Sequence, residues 1–254
     1  MNDDDLALAF ELAADAAAIS LSWSGGDVPV TTKEDGSPVS EGDLEVDRAL
    51  GEILAEERPE DGLLSEEQPE RPGTSGRRWI IDPIDGTRQF VAGEAGWGNH
   101  IALEVDGEVL LGIITRPEDD ELFWAVRGQG AFRCSMDSPH DRSQPITLST
   151  ATDPASATLS GYGITPADLE ARPARWEDRT AQLFTDFFAG RLDGLLMRGG
   201  KVWDFAPLVP LVRESGGEVR SPDGTDRIDQ GSLLVAGHGL LPGLAAALFR
   251  VANR

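Results

Sequence analysis

The stretch from Trp79 to Phe90 reads Trp-Ile-Ile-Asp-Pro-Ile-Asp-Gly-Thr-Arg-Gln-Phe, and it constrains the fold more than any other. Trp79 to Ile81 has the composition of a buried strand end. Asp82-Pro83 then breaks the run, because the proline ring fixes φ and removes a backbone donor, so the strand is predicted to stop there. Asp82 and Asp85 stand three apart in a tight turn and can converge on one point. Gly86-Thr87 follows with backbone N–H groups free to face an anion. Carboxylates gather in this way when a positive charge offsets their repulsion. A hard divalent cation such as Mg²⁺, which takes oxygen ligands and bridges to substrate phosphate, supplies one. Asp, Pro and Gly are also ordinary turn formers, so the motif alone reads equally well as a plain turn.

Charge narrows the partners. The 254-residue chain has 45 acidic against 22 basic residues and a formal charge of -23. Such a surface repels nucleic acid and anionic membranes, and neither is expected as a partner. An anionic substrate needs a local positive centre, which bound metal provides; much of the excess charge reads as a solubility adaptation, for instance to high salt. The single cysteine, Cys134, excludes an intrachain disulfide and fits a reducing compartment. It lacks the Arg six residues on that a cysteine-phosphatase loop carries. No apolar run of 18 residues stands out, and the N-terminus Met-Asn-Asp-Asp-Asp is acidic, so neither membrane span nor signal peptide is expected and a cytoplasmic enzyme is. The polar stretch Ser135 to Gln144 is the expected boundary between an N-terminal half, 1–134, and a C-terminal half, 135–254.

Along the chain, Asp3 to Asp5 can cap a helix whose apolar stripe is predicted through Leu6, Phe10, Ala13 or Ala14, Ala17 and Leu21. Thr31 to Asp43 is polar and turn-rich, a loop feeding a helix over Leu44 to Glu57. Alternation at Ile101, Leu103 and Val105, then Asp106-Gly107, then Val109, Leu111 and Ile113 predicts a hairpin. A further strand carries Leu122, Trp124 and Val126. The first half is thus helices on a largely antiparallel sheet. In the second half, strands near Ile146–Leu148, Leu195–Met197 and Leu233–Ala236 alternate with helices near Trp176–Ala189 and Leu240–Val251, which favours a three-layer α/β unit. Pro210 implies a kink or a late helix start, and Gly216-Gly217 a helix end.

Three acidic stations now stand in order: Ser65-Glu66-Glu67, Asp82-Pro83-Ile84-Asp85-Gly86-Thr87, and Trp203-Asp204 with Glu214-Ser215-Gly216-Gly217 ten residues later. Haloacid dehalogenase-like phosphatases carry Asp-x-Asp-Gly-Thr after a strand, but here two residues separate the aspartates and the match fails where the chemistry is. Order and spacing instead closely resemble the inositol monophosphatase family of Mg²⁺-dependent, lithium-sensitive phosphatases, over nearly the whole chain; the N-terminal half looks most like the actinobacterial histidinol-phosphatase branch. The resemblance implies a layered αβαβα sandwich of the inositol monophosphatase and fructose-1,6-bisphosphatase type, usually a homodimer. It implies two or three Mg²⁺ per site held by Glu66, Asp82, the carbonyl of Ile84, Asp85 and Asp204. Thr87 with Glu66 would orient the attacking water, Gly86 and Thr87 would grip phosphate, and Lys33 and Asp43 would belong to a mobile loop completing an additional metal site. No histidine sits in these motifs, so none of His100, His140 and His238 is given a catalytic role.

Departures concern the substrate. Ser65 replaces the family's usual Gly, the segment around Arg179-Thr180-Ala181 matches poorly, and Met197 stands where a substrate-reading Glu is common, seven residues before Asp204. A thioether is a weak acceptor, so Met197 is expected either to weaken discrimination between histidinol phosphate and inositol phosphate or to meet an apolar part of the substrate. The expected function is hydrolysis of a small polar phosphate monoester, histidinol phosphate or inositol 1-phosphate. Fructose 1,6-bisphosphate, a 3′-phosphoadenosine nucleotide and a non-catalytic metal or phosphate binder are the alternatives.

Overall fold

A computed structural model of the chain describes residues 3–137, 143–169, 173–178 and 182–248. Helix α1 (Asp3–Trp23) is rich in alanine, and Ala9, Ala13 and Ala16 are fully buried with Leu8 and Leu12 in its inner face. Small side chains let this helix lie close to the sheet beneath it. The buried stripe is therefore rotated from the predicted one: Leu6 and Phe10 are only partly buried and Leu21 is 45% exposed. Asp4–Trp23 is long and apolar enough to cross a membrane by length and composition, yet its inner face is spent on core packing.

The region expected as a loop forms a small antiparallel ribbon, β1 (Val30–Thr32) with β2 (Pro38–Ser40). Helix α2 (Glu41–Glu57) starts three residues earlier than predicted. Ser40 caps it, its side chain accepting the Asp43 N–H while the Asp43 carboxylate accepts the Ser40 N–H at 2.9 Å.

Strands β3 (Gly62–Ser65), β4 (Arg77–Asp85), β5 (Gly98–Val105), β6 (Glu108–Arg116), β7 (Glu121–Val126), β8 (Gly130–Cys134) and β9 (Gln144–Pro145) line up sequentially in one sheet. Only β3–β4 is parallel. Asp106 and Gly107 both take positive φ, 51° and 82°, as the primed turn of the β5–β6 hairpin demands. Its last strand, β9, lies beyond the expected division at residue 134.

Strand β4 does not stop at Asp82, contrary to the prediction from Pro83. Asp82 pairs with His100 and Asp85 with Gly98, so Pro83-Ile84 bulges out between two paired positions. Proline is tolerated because the bulge asks for no ladder donor. Asn99 holds the bulge: its Nδ2 donates to the Pro83 carbonyl at 2.5 Å and to Ser20 Oγ at 2.9 Å, and its Oδ1 accepts from Thr115 Oγ1 at 2.7 Å. Asn99→Ala would strand these buried groups and is expected to cost about 1 to 3 kcal/mol, read as a lower denaturation midpoint at unchanged m-value.

The second sheet is mixed, ordered β11-β10-β12-β14-β13, from β10 (Thr158–Tyr162), β11 (Arg175–Trp176), β12 (Gly194–Arg198), β13 (Glu218–Arg220) and β14 (Ser232–Ala236). Strands β10 and β13 escaped the sequence reading. The expected strand Ile146–Leu148 is irregular chain instead, with Ile146 and Leu148 buried in the core. Of the helix expected over Trp176–Ala189, only α4 (Leu183–Phe188) is seen and Trp176 lies in β11; Arg179 to Ala181 are outside the described residues. So are His140, part of the boundary stretch Ser135–Gln144 and the end of the last helix as far as Val251.

Two short helices follow, α3 (Thr87–Ala92) after β4 and α5 (Val202–Phe205) after β12, then α6 (Leu208–Glu214) and α7 (Leu241–Leu248). Helix α6 starts late, with Pro207 at its cap and Pro210 in a first turn that needs no N–H. Helices α1 and α2 cover the outer face of the first sheet, α6 is packed between the sheets, and α7 covers the second. Gly112 on β6 admits the α6 entry, since a Cβ there would stand 2.4 Å from the Pro207 carbonyl oxygen. The result is the expected αβαβα sandwich, with the largest core cluster between the sheets around Phe123, Phe187, Phe205 and Leu211.

Candidate active site

One end of the first sheet, where β3 and the β4 bulge finish, faces the start of α5. Glu66 follows β3 and its N–H donates to the Ile81 carbonyl at 3.2 Å, which ties it to β4. Asp82 and Asp85 leave β4 on either side of the bulge. Asp204 stands in the first turn of α5, its carboxylate accepting the Lys201 N–H. These four carboxylates come from three separated segments and feel one another. Asp82 is 1% exposed and is pushed well above the usual carboxylate range, by burial first and then by Glu66, Asp204 and Asp85. Asp204 is pushed to about 6 by burial and by Asp85. Asp85 also reaches about 6, raised by burial, opposed by the Arg116 guanidinium and raised further by Glu66.

Such a cluster is unfavourable as it stands. Asp82 Oδ1 is buried and has no hydrogen-bond partner among the described residues. A buried carboxylate oxygen facing other carboxylates fits a hard divalent cation, whose oxygen donors this set supplies. In the bulge the Ile84 carbonyl accepts from Thr87 Oγ1 at 3.2 Å.

Gly86 has φ of 86°, and a Cβ there would stand 2.9 Å from the Gly96 carbonyl oxygen, so only glycine closes the turn into α3. Thr87 follows at once, and its hydroxyl lies 3.1 Å from Asp43 Oδ1. Asp43 is fully buried in the first turn of α2, where burial raises it despite the Ser40 and Thr87 contacts. It is thus a capping residue next to Thr87, which corrects its expected place on a loop. Lys33, in the turn of the ribbon, reaches Glu66 at 2.6 Å and Glu67 at 2.5 Å. Burial alone would lower its pKa, but those two carboxylates outweigh it. Burial also lifts Glu67 to about 7 against the pull of Lys33.

Beside the carboxylates opens a cavity of about 300 Å³. Asp85, Gly86 and Asp204 line its wall together with Gln89, Arg116, Tyr162, Leu183 and Phe184. Met197 is absent from this wall, which corrects the expectation that it reads substrate. Alternation along β12 turns Leu195 and Met197 together into the core between the sheets, leaving Met197 2% exposed. Tyr162, its neighbour across the β10–β12 pair, lines the cavity instead. His100 is the other residue the sequence reading passed over. It is 1% exposed, with Nε2 3.7 Å from Asp85 Oδ2, and burial holds it at about 4, so the ring is neutral at pH 7. No sequence signal marked it, because only the register of β4 against β5 sets residue 100 opposite Asp82.

Comparison with known proteins bears on this geometry. Residues 1–252 match the model of the inositol monophosphatase family. A Streptomyces griseus protein named glucose-1-phosphate thymidylyltransferase is 43% identical over 97% of both chains. The histidinol-phosphatase of Mycobacterium tuberculosis is 35% identical over 95% of this chain and 96% of its own. Among solved structures, the extragenic suppressor protein suhB of Bartonella henselae superposes with a TM-score of 0.85 at 26% identity, over 98% of this chain and 99% of that one.

Proposed function

The chain belongs to the inositol monophosphatase family and is a metal-dependent phosphoric monoester hydrolase, and from that premise we propose that it hydrolyses a small polyol phosphate with Mg²⁺. Glu66, Asp82, Asp85, Asp204 and the Ile84 carbonyl would hold the metal. The observation that carries this reading is the buried, unpaired Asp82 oxygen among like charges. Bound there, Mg²⁺ would neutralise the phosphate oxygens and make water more acidic. Two ions suit four carboxylates; a third would require Lys33 to leave Glu66 and Glu67. The chain itself contributes orientation. Thr87, set beside Asp43, and Glu66 place the attacking water, and the N–H groups of Gly86 and Thr87 face the phosphate. No aspartyl-phosphate is needed.

The cavity walls select the leaving group. Tyr162, Gln89 and the Arg116 guanidinium offer hydrogen-bond donors, whereas the carboxylates lining the cavity, Asp85 and Asp204, are those assigned to metal. Hydroxyl groups are better served by such walls than an ammonium, which favours inositol 1-phosphate over histidinol phosphate. A thymidylyl transfer, as in the name of the Streptomyces griseus relative, must seat a nucleotide beside the sugar phosphate. A cavity of about 300 Å³ is at the lower limit for one small ligand. The reading is completed by a cytoplasmic homodimer with neither nucleic acid nor membrane as partner.

The test is phosphate release with Mg²⁺ from inositol 1-phosphate, glucose 1-phosphate, histidinol phosphate, fructose 1,6-bisphosphate and a 3′-phosphoadenosine nucleotide. One charge-assisted hydrogen bond is worth about 1.5 to 3 kcal/mol, so a polyol phosphate is expected to lead histidinol phosphate by at least about tenfold in kcat/KM. Release from none of them, or pyrophosphate release from dTTP with glucose 1-phosphate, would overturn the reading.

A further inference from the structure

His100 belongs to none of the acidic motifs, yet the fold sets it among the carboxylates. It stands directly across the β4–β5 ladder from Asp82 and is 1% exposed. One ring nitrogen of His100 and one oxygen each of Asp82 and Asp85 all lie within 4.8 Å of one another. Donors bind a small divalent ion at about 2.0 to 2.2 Å, so two donors on opposite sides of it stand about 4.4 Å apart. The three atoms can therefore share one ion with only slight adjustment.

A second observation concerns the polar atoms left over. His100 Nδ1 and Asp82 Oδ1 are both buried without a hydrogen-bond partner among the described residues. Backbone groups of Trp203 and Asp204 at the start of α5 hydrogen-bond the His100 ring, which accounts for one nitrogen and leaves Nδ1 unexplained. The ring meets Phe184 edge to face at 5.6 Å, a contact another aromatic ring would make without bringing two nitrogens into a dry site. An imidazole facing two carboxylates is a mixed nitrogen and oxygen donor set. Mg²⁺ prefers oxygen alone, whereas transition-metal ions such as Mn²⁺ accept both.

We propose that His100 is a nitrogen ligand of the metal centre, sharing an ion with Asp82 and Asp85, and that this position binds Mn²⁺ in preference to Mg²⁺. The proposal rests on the reading that these aspartates hold metal, and its test is spectroscopic so that the two can fail separately. The full chain, freed of metal, is loaded with one equivalent of Mn²⁺ and studied by pulsed electron paramagnetic resonance, once with natural-abundance histidine and once with ¹⁵N-histidine. A nitrogen coupling that changes isotope with the histidine label and vanishes in His100→Phe is the expected result. Titration calorimetry is expected to show Mn²⁺ bound at least about tenfold more tightly than Mg²⁺, with the gap narrowing in the variant. Bound Mn²⁺ without histidine coupling in the wild-type chain overturns the proposal, whether or not phosphate is released and whether or not His100→Phe folds. Coupling present in a chain that hydrolyses no phosphate ester upholds the ligand and removes the function.

Discussion

Asp82→Asn is expected to lower kcat/KM with Mg²⁺ by about a thousandfold or more, and at the same time to stabilise the metal-free protein. The two effects share a cause. In the metal-bound enzyme the lost carboxylate is a lost ligand, worth several kcal/mol of transition-state charge stabilisation. Without metal, the same carboxylate is buried, has one oxygen without a partner among the described residues and is surrounded by Glu66, Asp85 and Asp204, so an amide relieves repulsion. Stability should depend on pH with a definite sign. Asp85 and Asp204 are held at about 6, above the unfolded value of about 4, so the folded chain binds more protons between those limits. The metal-free protein should therefore lose stability as pH rises from about 4 through 6, and go on losing it above as Glu67, at about 7, and Asp82 ionise. Calorimetry at pH 5 and 7.5 in chelator should show the higher midpoint at pH 5, with a smaller difference in Asp82→Asn. Saturating Mg²⁺ should weaken the trend, since it binds the ionised forms. A variant that retains activity, or a metal-free midpoint that climbs from pH 5 to 7.5, would contradict the assignment.

How much of this was legible depends on whether chain neighbours or sheet neighbours set a residue's place. The β5–β6 hairpin and the buried Trp79–Ile81 were readable because alternation and turn chemistry are local, and the fold builds them as expected. The Asp82 to Thr87 motif was readable as a turn, but not as a bulge. What holds the bulge is Asn99, which is remote in sequence and adjacent only through the register of β5. Asp43 was misplaced for a local reason that went unused: Ser40 and Asp43 have capping-box spacing, which starts α2 at Glu41 and buries Asp43. Met197 could not be placed by counting back from Asp204. Which face of β12 it occupies depends on pairing with β10 and β14, and one of those strands, β10, carries no strong alternation of its own. The rotation of the buried α1 stripe was missed because Leu6, Phe10 and Leu21 outweigh Ala9 and Ala16 as core residues by size, although small size is what permits the close approach.

Thr87→Val separates the chemistry from the metal. The Thr87 hydroxyl has one proton and two acceptors in reach, Asp43 Oδ1 at 3.1 Å and the Ile84 carbonyl at 3.2 Å. Given to either, that proton leaves the oxygen lone pairs free to accept from water, so the hydroxyl can fix the direction of an attacking water beside Glu66. Valine keeps the shape and removes this ability. An oriented proton acceptor is worth about 10² to 10⁴ in rate, so kcat is expected to fall by about 10² to 10³ while KM changes by less than about threefold. Mg²⁺ affinity by calorimetry should be unchanged, because Thr87 contributes no carboxylate. Thr87→Ser keeps the hydroxyl and should stay within about tenfold of wild type, its loss reflecting only the freer rotor. Folding will register the change as well. Asp43 is fully buried and loses one partner in Thr87→Val, at a cost of about 1 to 3 kcal/mol that serine should largely avoid. If valine at this position leaves kcat intact, water is placed by another group, and the contact between Thr87 and Asp43 serves only to pin the start of α3 to α2.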